Sequence, residues 1–182
     1  LHTQLAELGV LGTLVPETHG GNGLSFLDAM LVSEELGRAA APGAFLSTGV
    51  LAALALRDCG NAPLAKEILP EIAAGRTRFG VGLAESYAAR DGAGVRLERG
   101  RLEGTALFAL DAVDADRLLV HCAGGLALVS AASVRLARAS RPRRRRTRVI
   151  GGEDTALAPA CSPAPIRALR ALGLGHDPTA QA

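Results

Sequence analysis

The side chains best suited to nucleophilic or metal chemistry are four histidines and three cysteines, and they are scattered along the chain. His121 and Cys122 adjoin on a stretch expected to be a strand, so they point to opposite faces and cannot share a metal. Cys59 and Cys161 lack ligand spacing, and no pair reads C-x-x-C. Neither a G-x-S-x-G elbow nor a G-x-x-x-x-G-K-S/T loop occurs. Gly20-Gly21-Asn22-Gly23 precedes a helix start at Ser25, where backbone N–H groups can cradle a phosphate. Without a strand just before it or G-x-G-x-x-G spacing, it reads as a tight loop. The run Arg141-Pro-Arg-Arg-Arg-Arg-Thr-Arg148 is the clearest partner signal, since clustered guanidinium groups attract phosphates and release counterions. No aromatic residue interleaves it, so it offers no base-stacking platform. These residues expect no metal site and assign no catalytic side chain.

The elements that would position a site divide into two kinds. Leu1, Leu5 and Leu8 recur at helical spacing, and Gly9 suits a helix end. Ser25 and Asp28 make a capping-box pattern for a helix closing at Gly37. Leu27, Met30 and Leu31 lie on one side of it and Ala29, Val32 and Leu36 on the other, which predicts neighbours on both. Thr48 to Arg57 reads as a buried helix. Asn61 and Pro63 start another whose stripe is Leu64, Ile68 and Ile72, and Pro70 predicts a kink or break at Leu69. After Arg76 the period falls to two. Phe79, Val81 and Leu83 alternate with Gly80, Gly82 and Ala84, and short strands follow near Val95, Leu102 to Phe108 and Arg117 to Val120, with a hairpin turn at Gly124-Gly125. The fold class expected is α+β: helices over 1–75, then a partial antiparallel β-barrel over 76–134.

The 182 residues are 48% hydrophobic but only 3% aromatic, so the core must be aliphatic. Residues 1–134 carry ten basic and fifteen acidic side chains, net −5, whereas 135–182 carry ten and three, net +7. All five aromatics fall at or before Phe108. Only eight large aliphatics occur in the Arg/Pro/Ala-rich tail 135–182, too few to offset the ordering entropy, so that tail is expected to be disordered apart from a short helix at Ile166–Leu172. The longest uncharged run, Ala39 to Leu56, is broken by Pro42, Gly43 and Gly49, so no membrane span is expected, and no secretory signal opens the chain. Unpaired cysteines point to a reduced, cytoplasmic setting. Met30 is the only Met, which suggests a cut or non-standard start.

The order of E-L-G-x-x-G at Glu7–Gly12, V-P-E at Val15–Glu17, G-G-x-G at Gly20–Gly23, E-E-L-G-R at Glu34–Arg38 and L-P-E-I-A-A-G at Leu69–Gly75 resembles the acyl-CoA dehydrogenase family. The resemblance covers about residues 1–130. It implies a helical domain, a middle β-domain and a C-terminal helical bundle, with FAD held between the last two. It also implies α,β-dehydrogenation of an acyl-CoA thioester, in which a carboxylate removes the α-proton and the β-hydrogen leaves as hydride to the flavin. The family's strand ending in T-E looks like Leu83-Ala84-Glu85, with Ala84 in place of the hydroxyl. The following G-S-D is replaced by Ser86-Tyr-Ala-Ala-Arg-Asp91. The W-I-T-N stretch that packs on the flavin looks like Phe108-Ala109-Leu110-Asp111, with Leu110 in place of a second hydroxyl. Leu83, Ala84, Phe108 and Leu110 are therefore the cofactor-facing candidates. The resemblance gives no residue the role of catalytic base. That implies a fragment, or a non-catalytic subunit of a homo- or hetero-oligomer in which a second chain supplies the bundle. The alternative reading is a basic-tailed nucleic-acid-binding or scaffold protein that keeps a degenerate enzyme domain.

Overall fold

A computed structural model of the chain describes residues 1–83, 94–98, 101–122, 125–137 and 148–150. Helix α1 (His2–Glu7) buries Leu5 and is followed by Gly9 in the left-handed conformation, φ 74°. The apolar stretch beyond it turns as a short 3-10 helix and buries Leu11, Leu14 and Val15. Helix α2 (Phe26–Arg38) begins with the expected capping box, the Ser25 N–H donating to Asp28 Oδ2 at 2.8 Å. The Ser25 hydroxyl, donating to the same oxygen, and then that backbone bond hold the Asp28 carboxyl below its usual range. The helix buries Ala29 and packs Phe26, Val32 and Leu36 on the core. Its other apolar side does not find the neighbour expected for it: Leu27, Met30 and Leu31 are 65%, 54% and 55% exposed.

The next segment, Phe45–Ala52, is a π-helix in which every residue but Leu46 is buried. It runs directly into α3 (Ala53–Asp58). Helix α4 (Ala62–Ala73) is capped by Asn61 Oδ1, which accepts from the Leu64 N–H at 3.2 Å. The break expected at Leu69 does not occur, and α4 is continuous through Pro70. Ile68, Leu69 and Ile72 are all fully buried around that proline. Each gains about 1.5–3 kcal/mol from burial, which together exceeds the ~3 kcal/mol cost of a mid-helix proline.

The strands form two sheets rather than one antiparallel barrel. β1 (Phe79–Gly82), β4 (Arg117–Cys122) and β5 (Gly125–Ser130) make a three-stranded sheet in the order β1-β4-β5. β4 and β5 are antiparallel, but β1 and β4 are parallel, with Val81 opposite Leu119. Parallel partners need a crossover, and the described strands between β1 and β4 in the chain belong to the second sheet. That sheet holds β2 (Gly94–Glu98), β3 (Arg101–Ala106), β6 (Arg135–Ala137) and β7 (Arg148–Ile150) in the order β2-β3-β7-β6, all antiparallel. No barrel closes among the described residues. Within the tail 135–182, the described residues are the two three-residue strands, of which β7 pairs with both β3 and β6. The arginines 141–146 and the helix expected at 166–172 lie outside the described residues.

Alternation along the central sheet sets three layers. Phe79, Val81, Leu119, Leu126 and Leu128 face the helices and join their core. Leu118, Val120, Cys122, Ala127 and Val129 face the second sheet and pack with Val95, Leu102 and Ala106. The helical part and the first sheet thus share one core.

Candidate functional site

β1 carries its bulky side chains only toward the helices. On its opposite face stand Gly80 and Gly82, and the chain after β3 lies against them. A Cβ on Gly80 would sit 2.6 Å from Ala112 Cα, and one on Gly82 would sit 3.3 Å from Ala106 Cβ. The glycines therefore admit the segment Leu107–Asp114. An isolated antiparallel bridge fixes it: Val81 N–H donates to the Leu110 carbonyl at 2.9 Å, and Leu110 N–H donates back at 2.8 Å. Further along, Arg78 N–H donates to Asp116 Oδ2 at 2.8 Å, which pins the return into β4.

Two residues of this segment, Phe108 (φ 56°) and Asp111 (φ 49°), adopt the left-handed backbone without being glycine. Asp tolerates that region through its short polar side chain, but a bulky aromatic rarely enters it. The π-helix reaches the same place from the other side. Ser47 Oγ–H donates to Asp111 Oδ2 at 2.7 Å, and the next residue, Thr48, accepts from the Phe79 N–H at 2.9 Å. Both hydroxyls are fully buried.

The candidates for the cofactor face separate. Leu110 is 46% exposed and Phe108 half-buried, both in the segment bridged to β1. Leu83 is 7% exposed and joins the helical core instead. Ala84, with Glu85 and the 86–91 stretch, lies outside the described residues. Sequence reasoning missed Ser47 and Asp111. The signal available was a Ser-Thr pair inside an otherwise apolar helix, because buried hydroxyls require partners.

Beside this segment opens a cleft of about 460 Å³ lined by His2, Ala44, Arg78, Asp111, Val113 and Asp114 among others. Burial, and then the neighbouring Arg78 charge, lower the His2 pKa and favour the neutral ring there. Among the described residues His2 Nε2 is buried without a hydrogen-bond partner. No group of His, Cys, Asp and Glu among the described residues is placed to hold a metal.

The glycine loop is structural. The N–H groups of Gly21, Asn22, Gly23 and Leu24 donate to the carbonyls of Pro16, Gly12, Val15 and Thr13 at 2.8–3.2 Å, leaving none of those donors for a phosphate. A Cβ on Gly21 would lie 2.2 Å from the Val15 carbonyl oxygen. No helix among the described residues is long and apolar enough to cross a membrane.

Comparison with known proteins agrees with this layout. Residues 1–76 match the family model of the acyl-CoA dehydrogenase N-terminal domain. The mitochondrial isovaleryl-CoA dehydrogenase of Pongo abelii is 33% identical over 138 residues, which are 70% of this chain and 32% of that protein. Among solved structures, a Tcur3481-Tcur3483 steroid ACAD variant is 30% identical with a TM-score of 0.69, covering 93% of this chain and 50% of that one. An acyl-CoA dehydrogenase complexed with FAD from Bacillus anthracis has the same fold at 23% identity, with a TM-score of 0.71, covering 95% of this chain and 34% of that one. The chain thus spans about a third of the length of the curated relative and half that of the first structure. By its N-terminal part, this chain belongs to the acyl-CoA dehydrogenase family.

Proposed function

We propose that this chain is part of a flavoprotein that oxidises acyl-CoA thioesters at the α,β-bond with FAD as cofactor. The observation that carries the reading is the bridge between Val81 and Leu110. It sets the stretch that resembles the family's flavin-packing motif against the end of β1, where the family's other flavin-contacting strand ends. The residues present fit the apolar face of a flavin ring, with Phe108 and the exposed Leu110 two positions apart in the chain. Hydroxyls are missing at Leu110 and Ala84, so side-chain hydrogen bonds at those positions are not part of the fit. The chemistry FAD supplies when bound is acceptance of the β-hydrogen as hydride.

In this reading Phe108 and Leu110 cover the ring and exclude water, and Gly80 and Gly82 let them close on β1. Two carboxylates beside the segment already have partners. Asp111 is committed to Ser47, and Asp116 to the backbone of Arg78. We propose that a second chain supplies the carboxylate that removes the α-proton, with the protein acting as one subunit of an oligomer. The paired name of the Tcur3481-Tcur3483 relative supports that arrangement. We place the protein in the cytoplasm, a setting consistent with its free, buried Cys59 and Cys122 thiols.

Purification of the tagged full chain from its own cells, with co-purifying chains retained, tests the reading. The expected preparation is yellow, with about one flavin per assembled site, and bleaches anaerobically when an acyl-CoA thioester is added. Colourless protein that leaves the thioester intact overturns it.

A further inference from the structure

The flavin-facing segment carries more conformational constraint than its own backbone explains. Phe108 and Asp111 are both left-handed, and such residues persist only where the surroundings over-determine them. The Val81–Leu110 bridge holds the middle of the segment through main-chain atoms. Asp111 is surface-exposed, yet its carboxylate reaches inward to a hydroxyl that is completely buried, 64 residues away in sequence. The donor sits on a π-helix, a rare form that occurs frequently at functional sites.

We propose that Ser47 and Asp111 are positioning residues for the cofactor: their hydrogen bond locks the 107–111 segment in the one backbone arrangement that presents Phe108 and Leu110 to the flavin. This rests on the reading given under Proposed function. The lock acts on population. A segment that samples other conformations binds with an affinity reduced by the fraction of time it spends in the competent one. Ser47 touches neither substrate nor flavin in this scheme, and its effect passes entirely through Asp111.

The test uses the purified flavoprotein, stripped of FAD and titrated with it, alongside hydrogen–deuterium exchange of residues 107–112. Ser47→Ala and Asp111→Ala are expected to speed exchange in that segment and weaken FAD binding, each by about tenfold, the scale of one lost bond to a charged group. Asp111→Asn should restore both to within about threefold, because its amide oxygen accepts the same bond and Asn tolerates the left-handed region. Thr48→Val removes the neighbouring tie to Phe79, so it should lower the melting temperature while leaving exchange at 107–112 unchanged. Asp111→Ala carries the test if Ser47→Ala does not fold. Faster exchange with unchanged FAD affinity overturns the proposal by making the bond purely structural, as does no change in either readout. A wild-type preparation that takes up no FAD overturns the flavoprotein reading and the positioning role with it, an outcome distinct from unchanged variants of a protein that does bind.

Discussion

Replacing Gly80 or Gly82 with alanine adds the same methyl group to the same face of the same strand, yet the two should differ sharply. Neither glycine has a positive φ, so alanine meets no backbone strain at either place. At both, alanine loses less entropy on folding, a gain of about 0.4–1 kcal/mol. The surroundings decide the difference. At Gly82 the new Cβ lies 3.3 Å from Ala106 Cβ and at least 3.8 Å from the next atoms, so a shift of a few tenths of an ångström accommodates it. At Gly80 it lies 2.6 Å from both Ala112 Cα and Leu118 Cδ2. The Leu118 methyl can swing away, but Ala112 Cα is backbone and belongs to the segment bridged to β1. Overpacking of that kind costs about 1–3 kcal/mol. Gly82→Ala should therefore melt within about 2 °C of wild type, and Gly80→Ala lower by up to about 10 °C once the entropy gain is subtracted, taking 2–4 °C per kcal/mol for a chain of this size. Circular dichroism melts give the comparison directly. Because the clash pushes on Ala112, Gly80→Ala should also weaken FAD uptake. Equal melting temperatures for the two variants would refute the idea that these glycines exist to admit the 107–114 segment.

Other consequences follow from burial and charge. Ile68→Ala and Leu119→Ala, at positions buried to within 1%, should each destabilise by about 2–5 kcal/mol in urea titrations. Pro70→Ala restores a helix N–H in the middle of α4 and should raise the urea midpoint, by up to about 3 kcal/mol of stability. His2 has its pKa lowered by burial and by Arg78, so the unfolded chain binds its proton more readily. Wild type should lose stability relative to His2→Gln as pH falls below about 6.5, with the difference between them constant above it, in melts run across pH 5–8. Burial pushes the Cys122 thiol up, so in a Cys161→Ser background thiol-probe labelling at pH 8 should be slow until denaturant is added.

Much of this fold is written locally. Gly9, the Ser25–Asp28 box and the Asn61 cap each act within four residues, and each ends or starts a helix where its chemistry says it should. The Phe79-Gly-Val-Gly alternation is readable for the same reason, since a strand needs only its own period. What escaped the sequence depends on partners far along the chain. The parallel pairing of β1 with β4 is set by where residues 83–116 return. β6 and β7 are three residues each, too short to show a period, and form by pairing, β7 with β3 and β6 with β7. Pro70 argued for a break because the local cost is visible in sequence while the burial of Ile68, Leu69 and Ile72 is not. At the candidate site, the resemblance alone proposes Phe108 and Leu110, and the Ser47–Asp111 bond joins residues that no periodicity connects.

The join between helices and sheet shows why those polar contacts matter. Its core is almost wholly aliphatic, and aliphatic surfaces of matched volume tolerate repacking before they lose stability. Leucine against valine says little about which arrangement of helix on sheet is correct. A buried hydroxyl says a great deal, because leaving it unpaired costs about 1–3 kcal/mol and only one alignment pairs it. The π-helix presents two such hydroxyls in succession. Ser47 reads the position of the 107–111 segment and Thr48 reads the start of β1. Sliding the helix along the sheet would break both bonds at once, leaving Ser47 only the local Ala44 carbonyl at 3.2 Å. Two directional bonds thus specify an alignment that the surrounding side chains stabilise without selecting, and the segment that would meet a flavin is one of the two things they align.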